Sequence, residues 1–234
     1  MRTVAAAVAL SGLLCSVVVA PALAAGAHTV RLDGVRVTLP PNGTQVVTVN
    51  HTHGYHARAT LWLFGHGHWR RVLRTTHARI GYGGLVAPKR RHQGTGTTPL
   101  GTTRLLWAFG RHPAHASWKL RYRRIKKGDF WVEDNRSRFY NRYRNEAQGG
   151  FRPGLPASAV NGSERLSAYP EQYEYAIVTS YNYAHPVRHR GAGIFLHVNG
   201  GGATAGCVSA PRGFVRKLMA RLDPAAHPVM AVGR

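Results

Sequence analysis

A β-rich, mixed α/β domain built on a curled sheet with a few helices is what this 234-residue sequence predicts. Three observations point there. Short alternating or wholly apolar runs recur along the chain, turn-forming residues separate them closely, and helical spacing is confined to two segments. Hydrophobic residues make up 44% of the chain, enough for a packed core and too many for a disordered one.

The elements follow in order. Residues 29–49 read as two strands on either side of Pro40-Pro41-Asn42-Gly43, the first carrying Val30, Leu32, Val35, Val37 and Leu39, the second Val46, Val47 and Val49. Ala57 to Phe64 is a strand that turns at Gly65-His66-Gly67-His68 and returns from Trp69 to Leu73. A basic stretch, Lys89-Arg90-Arg91-His92, leads into the polar loop from Gln93 to Gly101, and Arg104 to Phe109 is again strand-like. Ser137 to Gln148 contains good helix formers without breakers and predicts a polar surface helix. Glu174 to Tyr181 and Gly193 to Val198 predict strands. Phe214, Val215, Leu218, Met219 and Leu222 recur at helical spacing after Pro211, so a helix starts just past Cys207.

Residues 1–24 combine a positive start at Arg2, an apolar run from Val4 to Val19 and an Ala-x-Ala pattern ending at Ala24, the three parts of a secretory signal. Leu14 stands where a lipid-anchored Cys15 would need a small residue before it. The expected organisation is therefore a signal peptide over 1–24, a β segment over 25–84 belonging to the same domain, and a catalytic region over 85–234. The expected location is outside the cell or in its envelope. No later segment has the length and apolarity of a membrane span. Lysine and arginine number 32 against nine acidic residues, a net charge of +23. Such an excess attracts polyanions, and for an exported protein an anionic wall polymer is a more accessible partner than nucleic acid. The codon usage of a GC-rich genome accounts for an arginine excess equally well.

Removal of the signal leaves Cys207 as the one cysteine. It follows an apolar run ending in His197 and the loop Asn199-Gly200-Gly201-Gly202-Ala203-Thr204-Ala205-Gly206. A lone thiol in an exported chain is either buried and inert or kept as a nucleophile. A thiol attacks as thiolate, and a neighbouring imidazole can take its proton. Three successive glycines let the loop fold His197 back onto Cys207. Gly206, lacking a side chain, leaves backbone N–H groups of Gly206 and Cys207 free to face an oxyanion, a donor being worth about 3 kcal/mol. No acidic residue occurs between Thr179 and Arg221, so no carboxylate from that stretch orients His197.

Ile194-Phe195-Leu196-His197 followed by Thr204-Ala205-Gly206-Cys207 resembles the L,D-transpeptidase catalytic domain, also called YkuD-like, whose motif is a strand ending in histidine and then Ser/Thr-His-Gly-Cys. Gly94-Thr95-Gly96-Thr97-Thr98-Pro99-Leu100-Gly101 is similar to a second pattern of that family. Asp129-Phe130-Trp131-Val132-Glu133-Asp134, Tyr140-Asn141 and Tyr181-Asn182 resemble recurring family segments, and the likeness covers about residues 85–232. Ala205 replaces the motif's second histidine, and Ser209 stands where many members carry arginine or asparagine, with Arg212 three further on.

The resemblance implies the family's curled sheet and acyl transfer on peptidoglycan stem peptides without metal or cofactor. Cys207 would be the nucleophile, His197 the base held by a backbone carbonyl, and Gly206 with Cys207 the oxyanion site. Asn199, Thr204, Ser209 and Arg212 would be substrate contacts. Forming 3-3 cross-links is the leading activity. An L,D-carboxypeptidase or amidase-type hydrolase of the same fold is the alternative, since Ala205 removes one polar group. A basic wall-binding protein that has lost catalysis is the rival from another class. His51, His53 and His56, with His66 and His68, lack acidic or cysteine company and read as solvated histidines rather than a metal site.

Overall fold

The computed structural model describes residues 28–234; the signal segment and Cys15 lie outside them. Sixteen strands and one α-helix are described. The strands are β1 (His28–Leu32), β2 (Val35–Leu39), β3 (Gln45–His53), β4 (His56–Gly65), β5 (His68–Arg79), β6 (Leu85–Val86), β7 (Thr98–Pro99) and β8 (Gly101–Gly110). They continue with β9 (Tyr122–Arg124), β10 (Asp129–Val132), β11 (Arg142–Asn145), β12 (Glu164–Arg165), β13 (Tyr175–Thr179), β14 (Phe195–Val198), β15 (Val208–Ala210) and β16 (Val229–Gly233). Helix α1 is Arg212–Met219.

The main sheet runs β13-β14-β15-β5-β4-β3-β16-β8, and β13 pairs again with β8, which closes it on itself. Closure removes sheet edges that would otherwise offer unpaired backbone groups. The seam beside the glycine loop is narrow: β15 meets β5 through the single pair Ser209 and Arg79. β14 and β15 run parallel, with Leu196 opposite Val208 and His197 opposite Ser209. All four residues of β14, which pairs antiparallel with β13 on its other side, are buried. Strands β3, β4 and β5, which precede residue 85, are part of this closed sheet.

Val47, Leu61, Ile177, Leu196 and Met230 fill the interior together with the apolar face of α1, formed by Phe214, Val215, Leu218 and Met219. A second cluster is aromatic. Trp107, Phe109, Trp131, Tyr173 and Phe195 pack against one another and against Cys207. Phe195 meets Trp131 edge-on, with ring centroids 4.7 Å apart. This geometry stiffens the strand that carries His197.

Two sequence expectations change. Residues 29–39 form a hairpin rather than one strand, because Asp33 and Gly34 take positive φ of 52° and 82° and turn the chain. Ser137–Gln148 is not an α-helix; only a single 3-10 turn, Glu146–Gln148, is helical. Asn141 has φ 59°, and Arg142–Asn145 pairs with Asp129–Val132 as β11 against β10. The Asn141 side chain explains the override: it accepts from the Trp131 indole at 2.8 Å and donates to the Asn182 carbonyl at 2.6 Å. Buried hydrogen bonds of this kind outweigh weak helix propensity. Among the described residues no helix is long and apolar enough to cross a membrane, and no cluster of three histidine, cysteine or acidic side chains is placed to hold a metal.

Candidate active site

His197 is the penultimate residue of β14, the glycine loop crosses over after Val198, and Cys207 stands directly before β15. Parallel pairing of the two strands sets Phe195 beside Cys207, so the Phe195 N–H donates to Cys207 Sγ at 3.3 Å. The thiol itself donates to the Gly193 carbonyl at 3.0 Å. Cys207 is 9% exposed and His197 6%, yet both border one cavity of about 580 Å³. No hydrogen bond joins them among the described residues.

The loop is held from three sides. Thr204 bridges to Gly81, its N–H donating to Ile80 O at 3.1 Å and its carbonyl accepting from Tyr82 N–H at 2.9 Å. Thr98, from the upstream Thr-Pro element, accepts the Gly81 N–H and donates to Gly206 O, both at 2.8 Å. Arg79 donates to the carbonyls of Gly200 and Gly202. The two sequence motifs are thus joined by one buried hydroxyl.

His197 Nδ1 lies 2.8 Å from the Val198 carbonyl. A carbonyl only accepts, so Nδ1 carries the proton and Nε2 is the basic nitrogen. Burial lowers the His197 pKa to about 4, against the opposing pull of that carbonyl. Burial likewise pushes the Cys207 thiol up, and the negative charge of Glu164 adds to the effect. The resting pair is neutral thiol and neutral imidazole. Tyr173 packs edge-on against His197, with centroids 5.5 Å apart, and its hydroxyl donates to Glu164 Oε1 at 2.6 Å.

The remaining sequence-predicted residues divide. Thr204 borders the cavity, but its hydroxyl donates to Cys207 O at 2.7 Å and accepts from Gly206 N–H at 3.1 Å. That second bond takes up the Gly206 N–H, one of the two expected oxyanion donors. Asn199, Ser209 and Arg212 do not border the cavity. Ser209 is fully buried and donates to Asn199 Oδ1 at 2.8 Å, while Asn199 Nδ2 donates to His77 O. Arg212 forks onto Glu174 with two 2.5 Å contacts on the surface.

Among the cavity residues that escaped sequence reasoning as site members are Arg91, Glu133, Glu164 and Tyr173. Glu133 and Glu164 are two of only nine acidic residues in a strongly basic chain, and that scarcity is the signal that marks them. Burial raises both carboxyls, Glu133 being raised further by the charge of Glu164.

The model of the YkuD L,D-transpeptidase catalytic domain matches residues 44–230. A comparison with curated proteins returns no match. Two solved structures are similar. Bd1075 of Bdellovibrio bacteriovorus is 14% identical at a TM-score of 0.40, with 82% of this chain and 48% of that chain covered. The helical cell shape determining protein Pgp2 of Campylobacter jejuni is 12% identical at a TM-score of 0.41, with 82% of this chain and 47% of that one covered. The chain spans about half the length of these two structures. The match to the domain model takes in both the Thr-Pro element and the His197–Cys207 segment, and the chain belongs to the L,D-transpeptidase catalytic domain (YkuD) family.

Proposed function

We propose that this protein is an exported cysteine acyltransferase acting on peptidoglycan stem peptides. The observation that carries the reading is the shared cavity of Cys207 and His197, with the imidazole tautomer set by Val198. In the first half-reaction the thiol proton passes to His197 Nε2 and sulfur bonds to the donor's carbonyl carbon. The tetrahedral adduct collapses as its C–N bond breaks, and His197 returns the proton to the leaving amine. A second stem peptide's amine then attacks the thioester and releases the thiol, forming a 3-3 cross-link.

The neutral resting pair suits this chemistry. Proton transfer is coupled to attack, so no thiolate stands exposed to oxidants outside the cell. The predicted signal over residues 1–24 supports export, and the basic surface favours contact with an anionic wall polymer.

Intact-mass spectrometry after incubation with a carbapenem, a β-lactam that acylates thiolates, tests the nucleophile. One adduct that Cys207→Ala abolishes is expected. No adduct with either the carbapenem or a stem peptide would overturn the enzymatic reading. Digestion of sacculi treated with the protein separates transfer from hydrolysis: new 3-3 dimers are expected, and shortened stems alone would make it a hydrolase.

A further inference from the structure

A second cavity, of about 550 Å³, lies between the loop that follows β8 and the C-terminal half of α1. It shares no bordering residue with the cavity of Cys207. The two lie on opposite faces of β13. Tyr175 packs into the interior cluster and borders the groove, whereas Ala176 turns to the aromatic cluster that holds Cys207. The groove is therefore not an extension of the catalytic cavity.

One wall is aromatic. Trp118 is half-buried and held by three rings, with centroids at 4.7 Å to Tyr122, 5.9 Å to Tyr175 and 5.9 Å to His115. Tyr122 is fixed in turn by its hydroxyl, which donates to His112 O at 2.9 Å. The other wall is cationic. Arg216 and Lys217 stand on the exposed side of α1, and Arg221 follows the helix. None of the three takes part in an ion pair among the described residues. The carboxylates nearby are engaged elsewhere, Glu174 by Arg212 and His112, and Asp223 by Lys119. Among the described residues no acidic side chain borders the groove, so its positive potential is uncompensated.

We infer that this groove binds an acidic polysaccharide, with a sugar ring packed on Trp118 and its carboxylates met by Arg216, Lys217 and Arg221. The C–H groups of a sugar ring are weakly electropositive and suit the negative face of an indole. Guanidinium forks pair with planar carboxylates. A single-stranded nucleic acid stacks successive bases on successive rings. Here Tyr175 is only 5% exposed, which leaves Trp118 as the one accessible ring of its kind in the groove. A polymer that carried charge without rings would leave the aromatic wall unused. The binding itself does not depend on catalysis. Its consequence, that the protein stays on an acidic polymer while Cys207 works on stem peptides, rests on the acyltransferase reading. Gln172 borders the catalytic cavity and Tyr175, three residues on, borders the groove, so one short segment links the two sites.

Equilibrium binding of the whole protein to polygalacturonate tests this, with dextran, polyphosphate and oligothymidylate as comparisons. Polygalacturonate is expected to bind at least about tenfold more tightly than dextran, which lacks the charge. Trp118→Ala should weaken polygalacturonate roughly fivefold and change polyphosphate, which has no ring to stack, by less than about twofold. Arg216→Glu combined with Lys217→Glu should weaken polygalacturonate about tenfold or more, and the same reversal at Arg70 and Arg71 of β5 by less than about threefold. All four of these side chains are exposed and unpaired among the described residues, so both reversals fold and decide the matter even where Trp118→Ala does not. Equal losses from the two reversals, or a folded Trp118→Ala that binds polygalacturonate like the wild type, overturn the groove. Oligothymidylate binding more tightly than polygalacturonate overturns the polysaccharide as its occupant. Cys207 acylation by a soluble stem peptide is read separately on the Arg216 and Lys217 reversal and should stay within about twofold of wild type. Groove-dependent binding without acylation sinks the enzymatic reading alone, and acylation with equal losses from the two reversals sinks the groove alone.

Discussion

The Cys207 thiol donates to the Gly193 carbonyl at 3.0 Å, so the sulfur keeps its proton until something else accepts it. Phe195 N–H, donating to the same sulfur at 3.3 Å, is a weak opposing pull toward the thiolate. Burial decides the balance in favour of the neutral thiol.

Iodoacetamide, a small uncharged reagent, reports this state directly. A thiol whose pKa is pushed up is thiolate only at high pH. Alkylation of Cys207 is therefore expected to run roughly tenfold or more slower than that of free cysteine at neutral pH, and to keep rising past the ordinary thiol range near pH 8.5. A rate already flat below pH 7 would mean a preformed thiolate–imidazolium pair.

His197→Ala is expected to lower the rate of acylation by roughly 10²–10⁴, the usual worth of a general base. The rate of acyl-enzyme formation with a stem-peptide donor under single-turnover conditions measures it, and near-wild-type rates would remove His197 from the mechanism.

His197 also ties stability to pH. Its folded pKa of about 4 lies below the unfolded value, so between the two the unfolded state binds the proton that the folded state refuses. The stabilisation from a neutral His197 is complete above about pH 6.5 and is lost as pH falls toward 4, an effect on the order of 3 kcal/mol. Urea titrations at both ends of that window should show a steeper loss for the wild type than for His197→Gln. Equal losses would contradict a buried neutral imidazole.

Thr98→Val keeps volume but orphans the Gly81 N–H and the Gly206 carbonyl. Each orphaned buried group costs roughly 1–3 kcal/mol, so thermal unfolding should come several degrees earlier. Acylation should fall as well, because the Gly206 backbone positions Cys207. Thr98→Ser retains the hydroxyl and should restore both. A stable, fully active valine variant would show that the hydroxyl does not set the loop.

Arg212→Ala removes a solvent-exposed fork to Glu174, and thermal unfolding should stay close to that of the wild type. Stem-peptide acylation should stay within about twofold of wild type. A loss of tenfold or more would return Arg212 to the substrate contacts.

The sequence carried the nucleophile segment well, because its signals are local. An apolar run predicts β14, glycines predict the loop, and periodic apolar residues predict α1. It misjudged Ser137–Gln148, where buried side-chain hydrogen bonds of Asn141 to partners far along the chain overrode local propensity. Asn199, Ser209 and Arg212 were chosen for closeness in sequence to Cys207, yet strand pairing turns Ser209 inward and α1 turns Arg212 outward onto Glu174.

By itself the sequence determined that one histidine and one cysteine stand on either side of a glycine loop, and that the chain folds as a curled β-rich domain. The small sheet β11-β10-β12 and the Thr-Pro strand β7, both separate from the closed sheet, decided what surrounds them. Arg91, Glu133 and Glu164 come from segments separated from Cys207 by many residues and reach the cavity only because β10, β12 and the Thr-Pro element converge there. Charge neighbours and desolvation are properties of that convergence, and they set the protonation of Cys207 and His197, which no local pattern encodes.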